Sequence, residues 1–243
     1  MALISEIAVV GDLPETRKSQ MYELLCKYFT GVERKNFDRD LSEKDWVILL
    51  LDEEAGEVKG FSTQKLLEIE SGGVRVKGVF SGDTIVDKRH WNEMLLIKAW
   101  GDLAHSLIEK YEGCRLYWFL ICMGYRTYRY LPVFFKEYYP RYDKETPDFE
   151  KAMINAFAQS KFPAEYNRAL GVIHPFTKAV LRPGVSEIHN NLLKNPHINY
   201  FVKKNAGHLN GDELVCIAEL SRGNFKNIAH KFNKNLSQVI AGA

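Results

Sequence analysis

Hydrophobic and polar positions change period several times along this chain. Residues 5–10 form a short apolar run closed by Gly11-Asp12, which predicts a first strand. Leu13-Pro14-Glu15 then opens a helix, since proline suits a first turn and an acid there complements the helix dipole. Met21, Leu24, Leu25 and Phe29 recur at helical spacing and give that helix one apolar face. A second short helix is predicted over 33–44, with Phe37 and Leu41 inward. Residues 45–51 run as an apolar strand, bounded by the turn-like 52–56. Strands over 57–70 and 74–86 follow, divided by Ser71-Gly72-Gly73, which completes an antiparallel meander.

Helical spacing returns from about 92 to 111, with Leu95, Leu96, Trp100, Leu103, Ala104 and Leu107 on one side. Residues 115–121 make another apolar strand, and a short helix over 131–139 ends at Pro140. Strand, two helices, three-strand meander, helix, strand and helix specify an α/β (α+β) domain built on a mixed, mostly antiparallel sheet flanked by helices. Past Arg141 the pattern weakens. A helix is predicted over 147–160, loop-like sequence runs through Pro183-Gly184, and strands are predicted over 198–202 and 213–220. The chain divides into a core, 1–142, and a C-terminal extension, 143–243, expected to pack on it as a substrate lid or as added sheet strands.

Of the 243 residues 46% are hydrophobic and 12% aromatic, enough to bury a sizeable core without disulfides or metals. Lysine and arginine number 33 against 31 acids, a balance that argues against a nucleic-acid binder, whose affinity needs concentrated positive charge. Cys26, Cys114, Cys122 and Cys216 are widely spaced with no CxxC pair, which argues against a zinc ribbon and a secreted disulfide framework. The start, MALISEIAVVGD, has no basic segment and meets Asp12 too early for a signal peptide. No apolar run approaches the roughly 18 residues of a membrane span. The expectation is a soluble, cytoplasmic protein. The seven histidines show no ligand spacing, so no metal site is expected, and no GxSxG, P-loop or GxGxxG is present.

The element order over about 5–140, with a helix after the third meander strand, resembles the GNAT superfamily of acyl-CoA-dependent N-acyltransferases. The resemblance implies that the strand before the central helix splays from its neighbour and pairs its backbone with the pantetheine arm of the donor. The turn after it implies a pyrophosphate site on the helix N-terminus, where free N–H groups and the dipole favour an anion. Here the strand ends Gly82-Asp83-Thr84-Ile85-Val86 and the turn is 87–93. Thr84, Ile85, Val86, Lys88, Arg89, His90 and Asn92 are therefore the expected donor-binding residues. Trp91 stands where the family has an arginine, and Asn92 and Met94 where it has glycines, so the pyrophosphate motif is degraded and Lys88, Arg89 and His90 are left to contact phosphate. Leu131 to Pro140 is similar to the family's short helix beside the donor thiol. Phe135 occupies the position of its tyrosine acid, which leaves Tyr138 and Tyr139 as substitutes, with Tyr138 the candidate acid.

Acylation of an amine needs a base, and a carboxylate on the splayed strand is suited to the task. Asp83 lies inside an apolar strand, where an unpaired charge is costly. It is the candidate base or amine anchor; the structural alternative pairs it with Arg75, Arg126 or the backbone of a bulge. Asp87 suits a helix cap, and Cys122 reads as a packing thiol or a cleft residue. Eight of the twelve tyrosines fall between Tyr111 and Tyr142 among Arg115, Arg126, Arg129 and Arg141. With so many apolar neighbours they suit a core and pocket wall for an acyl chain better than a nucleobase stack. Two functions stay open. One is transfer of an acyl group, of acetyl or greater length, from acyl-CoA or an acyl-phosphopantetheine carrier protein to a small-molecule or peptide amine. The alternative is a non-catalytic GNAT-like binding protein for an apolar ligand or a protein partner.

Overall fold

The computed structural model of the protein describes residues 2–91, 93–176 and 179–227. In chain order the elements are β1 (Leu3–Val9), α1 (Glu15–Tyr28), β2 (Phe29–Thr30), α2 (Arg34–Ser42), β3 (Trp46–Asp52), β4 (Val58–Ser71), β5 (Val74–Val86), α3 (Leu95–Lys110), β6 (Arg115–Cys122), α4 (Tyr125–Tyr128), α5 (Tyr130–Phe134), α6 (Asp148–Lys161), β7 (Tyr166–Asn167), β8 (Val172–Ile173), β9 (Val180–Leu181), α7 (Pro196–Lys204) and β10 (Glu213–Glu219). Eight strands form one sheet in the order β1-β3-β4-β5-β6-β10-β8-β7, and β2 pairs with β9 in a separate two-stranded clasp. Every neighbouring pair of the large sheet is antiparallel except β5 and β6.

Alternation along the strands sends side chains to two faces. Trp46, Ile48, Leu50, Val79 and Trp118 face α3 and pack with Trp100, Leu103 and Leu107. Val47, Leu49, Leu51, Phe61 and Ile85 face the other way, onto Met21, Leu24 and Leu25 of α1 and Phe37 and Leu41 of α2. On that same face Phe80, Tyr117 and Phe119 meet Met153 and Phe157 of α6. A Cβ at Gly78 would overlap the Phe157 ring, so glycine is what lets α6 sit this close to β5. Among the described residues no helix is long and apolar enough to cross a membrane.

Two expected elements differ. The helix expected over 131–139 is replaced by α4 and α5, and the chain beyond them is extended. Phe135 bridges to Phe225, and Tyr139 exchanges backbone hydrogen bonds with Ile217 of β10, both 2.8 Å. Pro140 disfavours helical geometry at Tyr139, which explains why the helix stops early. The strand expected over 198–202 is helix α7. Asn195 caps it by accepting from the N–H groups of His197 and Ile198, Pro196 fills its first turn, and Ile198 and Phe201 are its buried positions. β10 pairs along β6 from Leu214↔Cys122 to Glu219↔Tyr117, so the C-terminal part of the chain supplies a strand to the middle of the sheet.

Candidate functional site

β5 and β6 run parallel from Val76↔Arg115 to Ser81↔Leu120 and then part. A buried polar chain marks the fork. Trp118 Nε1 donates to Ser81 Oγ (2.8 Å), Ser81 Oγ to Gln64 Oε1 (2.6 Å) and Gln64 Nε2 to Ser62 Oγ (2.7 Å), which lies 2.7 Å from Thr84 Oγ1. Just past the fork Ser62 pairs with Thr84 while Gln64 pairs with Ser81, so β5 carries one extra residue at Gly82-Asp83. Such a bulge bends its strand and re-aims its side chains.

Beyond the bulge, Asp87 N–H donates to Lys59 O at 2.7 Å, and Val86 is paired with Gly60. In an antiparallel ladder hydrogen-bonded and non-hydrogen-bonded pairs alternate. The backbone groups of Thr84 and Val86 therefore point away from β4, into the gap left by β6. Trp91 Nε1 donates to one of them, Val86 O, at 2.9 Å.

This order of elements, with a central helix following the strand that leaves its parallel neighbour, is the one the resemblance implies. In this order of elements the fold resembles that of the GNAT superfamily. Neither a family model nor a curated protein matches the chain. Among solved structures the GNAT-like domain is similar to a conserved protein of Enterococcus faecalis V583 described as a "Probable N-Acyltransferase". The identity is 16% and the TM-score 0.40, over 54% of this chain and 33% of that one. A GNAT family N-acetyltransferase from Escherichia coli, in complex with CoA, is similar at 18% identity and a TM-score of 0.39, over 54% of this chain and 69% of that one. Saccharomyces cerevisiae N-myristoyltransferase with bound myristoyl-CoA gives 14% and 0.39, over 47% of this chain and 30% of that one. The match thus spans about a third of the Enterococcus and yeast proteins.

The gap opens into a cavity of about 770 Å³ that passes between the two faces of the GNAT-like sheet. On the α3 side it is walled by Met94, Leu96 and Ile97 at the start of α3, where the Met94 side chain makes no cap hydrogen bond, and by Tyr125, Arg126 and Arg129 of the segment after β6. The Arg126 guanidinium lies over the Trp91 ring, 4.4 Å from its centre. On the other side the wall comes from Phe37, Asp40 and Glu43 of the α2 region, Lys161, Phe162 and Glu165 at the end of α6, and Glu213 at the start of β10.

Asp83, Thr84, Ile85, Val86 and His90 are all brought to the cavity wall. Asp83 has no hydrogen bond or ion pair among the described residues; its charged neighbours are Asp40 and Lys44, in place of the expected Arg75 or Arg126. Burial, and then the Asp40 charge, push its carboxyl up to about 6 against the pull of Lys44. Lys44 is itself buried and ion-paired with Asp40, and its stem crosses β5 where Gly82 has no Cβ to obstruct it. His90 is 8% exposed and its Nε2 has no partner among the described residues.

Lys88 and Arg89 are exposed and lie off the wall. The Lys88 amide donates to Tyr28 Oη, and the Arg89 side chain donates to Asp87. Asp87 caps the Lys88–His90 turn by accepting from the Arg89 amide. Burial opposes its charge, but hydrogen bonds from Lys27 and Arg89 outweigh that and hold it well below the usual carboxylate range. Asn92 lies outside the described residues. Tyr138 is not brought to the cavity. It is 1% exposed in the α3-side core, its hydroxyl lies 2.9 Å from His197 Nδ1, and burial pushes its phenol well up. Cys122 is buried beside Cys216, where burial, then the neighbouring Cys216 thiol, push its own thiol well up, as suits a packing residue.

Sequence reasoning missed Glu213. It has no hydrogen bond or ion pair among the described residues; burial, then the charges of Asp83, Asp40 and Asp212, push it up to about 8. Its sequence signal was a lone acid at the head of an apolar strand, after Gly211-Asp212. Arg126 was visible as a member of the tyrosine–arginine segment and as a possible partner of Asp83, and Arg129 only as a member of that segment.

Proposed function

We propose that this chain is an N-acyltransferase that takes an acyl group from acyl-CoA, or from an acyl-phosphopantetheine carrier protein, and passes it to an amine. The observation that carries the reading is the forked sheet: the outward-facing backbone of Thr84, the Val86 N–H, the start of α3 and a carboxylate, Asp83, with no partner among the described residues share one cavity. The pantetheine arm pairs with the β5 edge, and its pyrophosphate lies at the α3 terminus near Arg126 and Arg129. The neutral amine nitrogen attacks the thioester carbonyl carbon, and the Val86 N–H stabilises the oxyanion. The amine proton passes to Asp83, the C–S bond breaks and the thiolate departs. Tyr125 lines the same cavity and takes the acid role expected of Tyr138. Apolar lining by Leu25, Phe29, Phe37 and Leu181 favours an acyl chain longer than acetyl.

Thermal unfolding with CoA, acetyl-CoA, a medium-chain and a long-chain acyl-CoA tests the donor. A ligand at 100 times its Kd stabilises the native state by about 2.7 kcal/mol. A shift in melting temperature that grows with chain length is expected, and no shift with any thioester overturns a free acyl-CoA donor. The second reading, a non-catalytic binding protein on the same scaffold, is favoured by the Trp91–Val86 bond, which already occupies one acceptor of the strand edge. Acyl-CoA binding without thiol release across a panel of amines would establish that reading.

A further inference from the structure

Not every carboxyl group on the cavity wall has an ion-pair partner among the described residues. Of the carboxylates on its α2-side wall, Asp40 is ion-paired with Lys44 and Glu43 with Lys161. Asp83 and Glu213 have no such partner among the described residues, and neither accepts a hydrogen bond there. They reach the one void from different strands, β5 and β10, and the Asp83 charge acts on Glu213. Unpaired carboxylates away from water are costly. The same void has a second unmet polar group of another kind, the His90 Nε2, on a side chain only 8% exposed. Among the described residues no group of three or more His, Cys, Asp or Glu could hold a metal ion.

We propose that the acceptor is an organic dication, a diamine or polyamine whose reacting nitrogen meets Asp83 while a second ammonium pairs with Glu213. The inference rests on the acyltransferase reading and follows from the two unpartnered carboxyl groups. The attacking amine must be neutral, so its ammonium first loses one proton to solvent, and the proton released as the C–N bond forms passes to Asp83. Glu213, pushed up to about 8 and mostly protonated in the empty site, ionises when a second ammonium on the same molecule meets it. The second ammonium keeps its protons and leaves with the amide product. A monoamine of equal length would leave Glu213 without that partner.

Isothermal titration of the full chain, with and without saturating CoA, compares 1,5-diaminopentane with pentylamine at pH 7.5 in two buffers of different ionisation heat. The diamine is expected to bind at least roughly tenfold more tightly, the scale of one charge-assisted contact. Its binding should release protons as Glu213 ionises. Glu213→Gln should erase both the preference and that release while leaving the fold intact by thermal melting. Equal binding of the two amines, absence of binding, or a preference that survives Glu213→Gln overturns the proposal. Acyl-CoA melting shifts without a diamine preference overturn it alone. A diamine preference with no response to any thioester instead overturns the free acyl-CoA donor and keeps the dication site.

Discussion

Asp83 combines two properties that seldom coincide on a strand: a carboxylate without a donor, and a bulge that turns it toward a void. With its carboxyl pushed up to about 6, it is ionised at neutral pH yet basic enough to take a proton from an ammonium. Asp83→Asn is expected to keep acyl-CoA binding and lower turnover by about 10²–10⁴, the usual worth of a general base, measured as thiol release. Glu213 makes a different prediction, about stability. Its ordinary value is 4.5 and burial raises it to about 8 in the folded chain. The folded state therefore holds this proton more tightly than the unfolded state does. That contribution is complete below about pH 4.5 and is lost as pH rises toward 8, and Asp83 adds the same sign between about 4 and 6. Melting temperature should fall from pH 5 to 8. Glu213→Gln should flatten that fall and raise stability at pH 8 by on the order of 2–4 kcal/mol.

Two close fits decide where the elements lie. α6 approaches β5 through Gly78, where a methyl group has no room beside Phe157. Gly78→Ala is expected to cost about 1–3 kcal/mol in denaturant unfolding, the price of overpacking a filled core. The fork between β5 and β6 is held by the Trp118–Ser81–Gln64–Ser62 chain, in which Gln64 is fully buried and serves as both acceptor and donor. Gln64→Leu leaves the Ser81 O–H without its acceptor and removes one donor from Ser62, so unfolding in urea should show a loss of about 1–3 kcal/mol. An acyl-CoA melting shift that shrinks with it would tie the fork's geometry to donor binding. Element type was less legible than these contacts suggest. Residues 198–202 alternate like a strand, yet the Asn195-Pro196 cap outweighs that local pattern and starts a helix.

Across the whole molecule, what could be read from the sequence was what depends on neighbours along the chain. The meander, the central helix and β6 follow from local periodicity, and Asp83 stood out because an acid interrupts an apolar strand. Tyr138 was assigned by position in an expected helix, and the extended path from Phe135 to Tyr139 carries it into the core instead. Glu213 was hidden because its relation to Asp83 exists only once β10, about ninety residues of sequence beyond β6, has come to lie beside it. That late arrival has a consequence for synthesis. When residues 1–142 have emerged from the ribosome, β6 still lacks the neighbour that will cover its second edge. Leu116, Trp118 and Leu120 then offer a bare, apolar template of unpaired amides and carbonyls. A fragment ending at 142 is expected to sediment as aggregates, and adding 143–243 in trans during refolding should restore solubility. The nascent chain is thus most vulnerable to self-association just before β10 is made, which is where a chaperone would need to act.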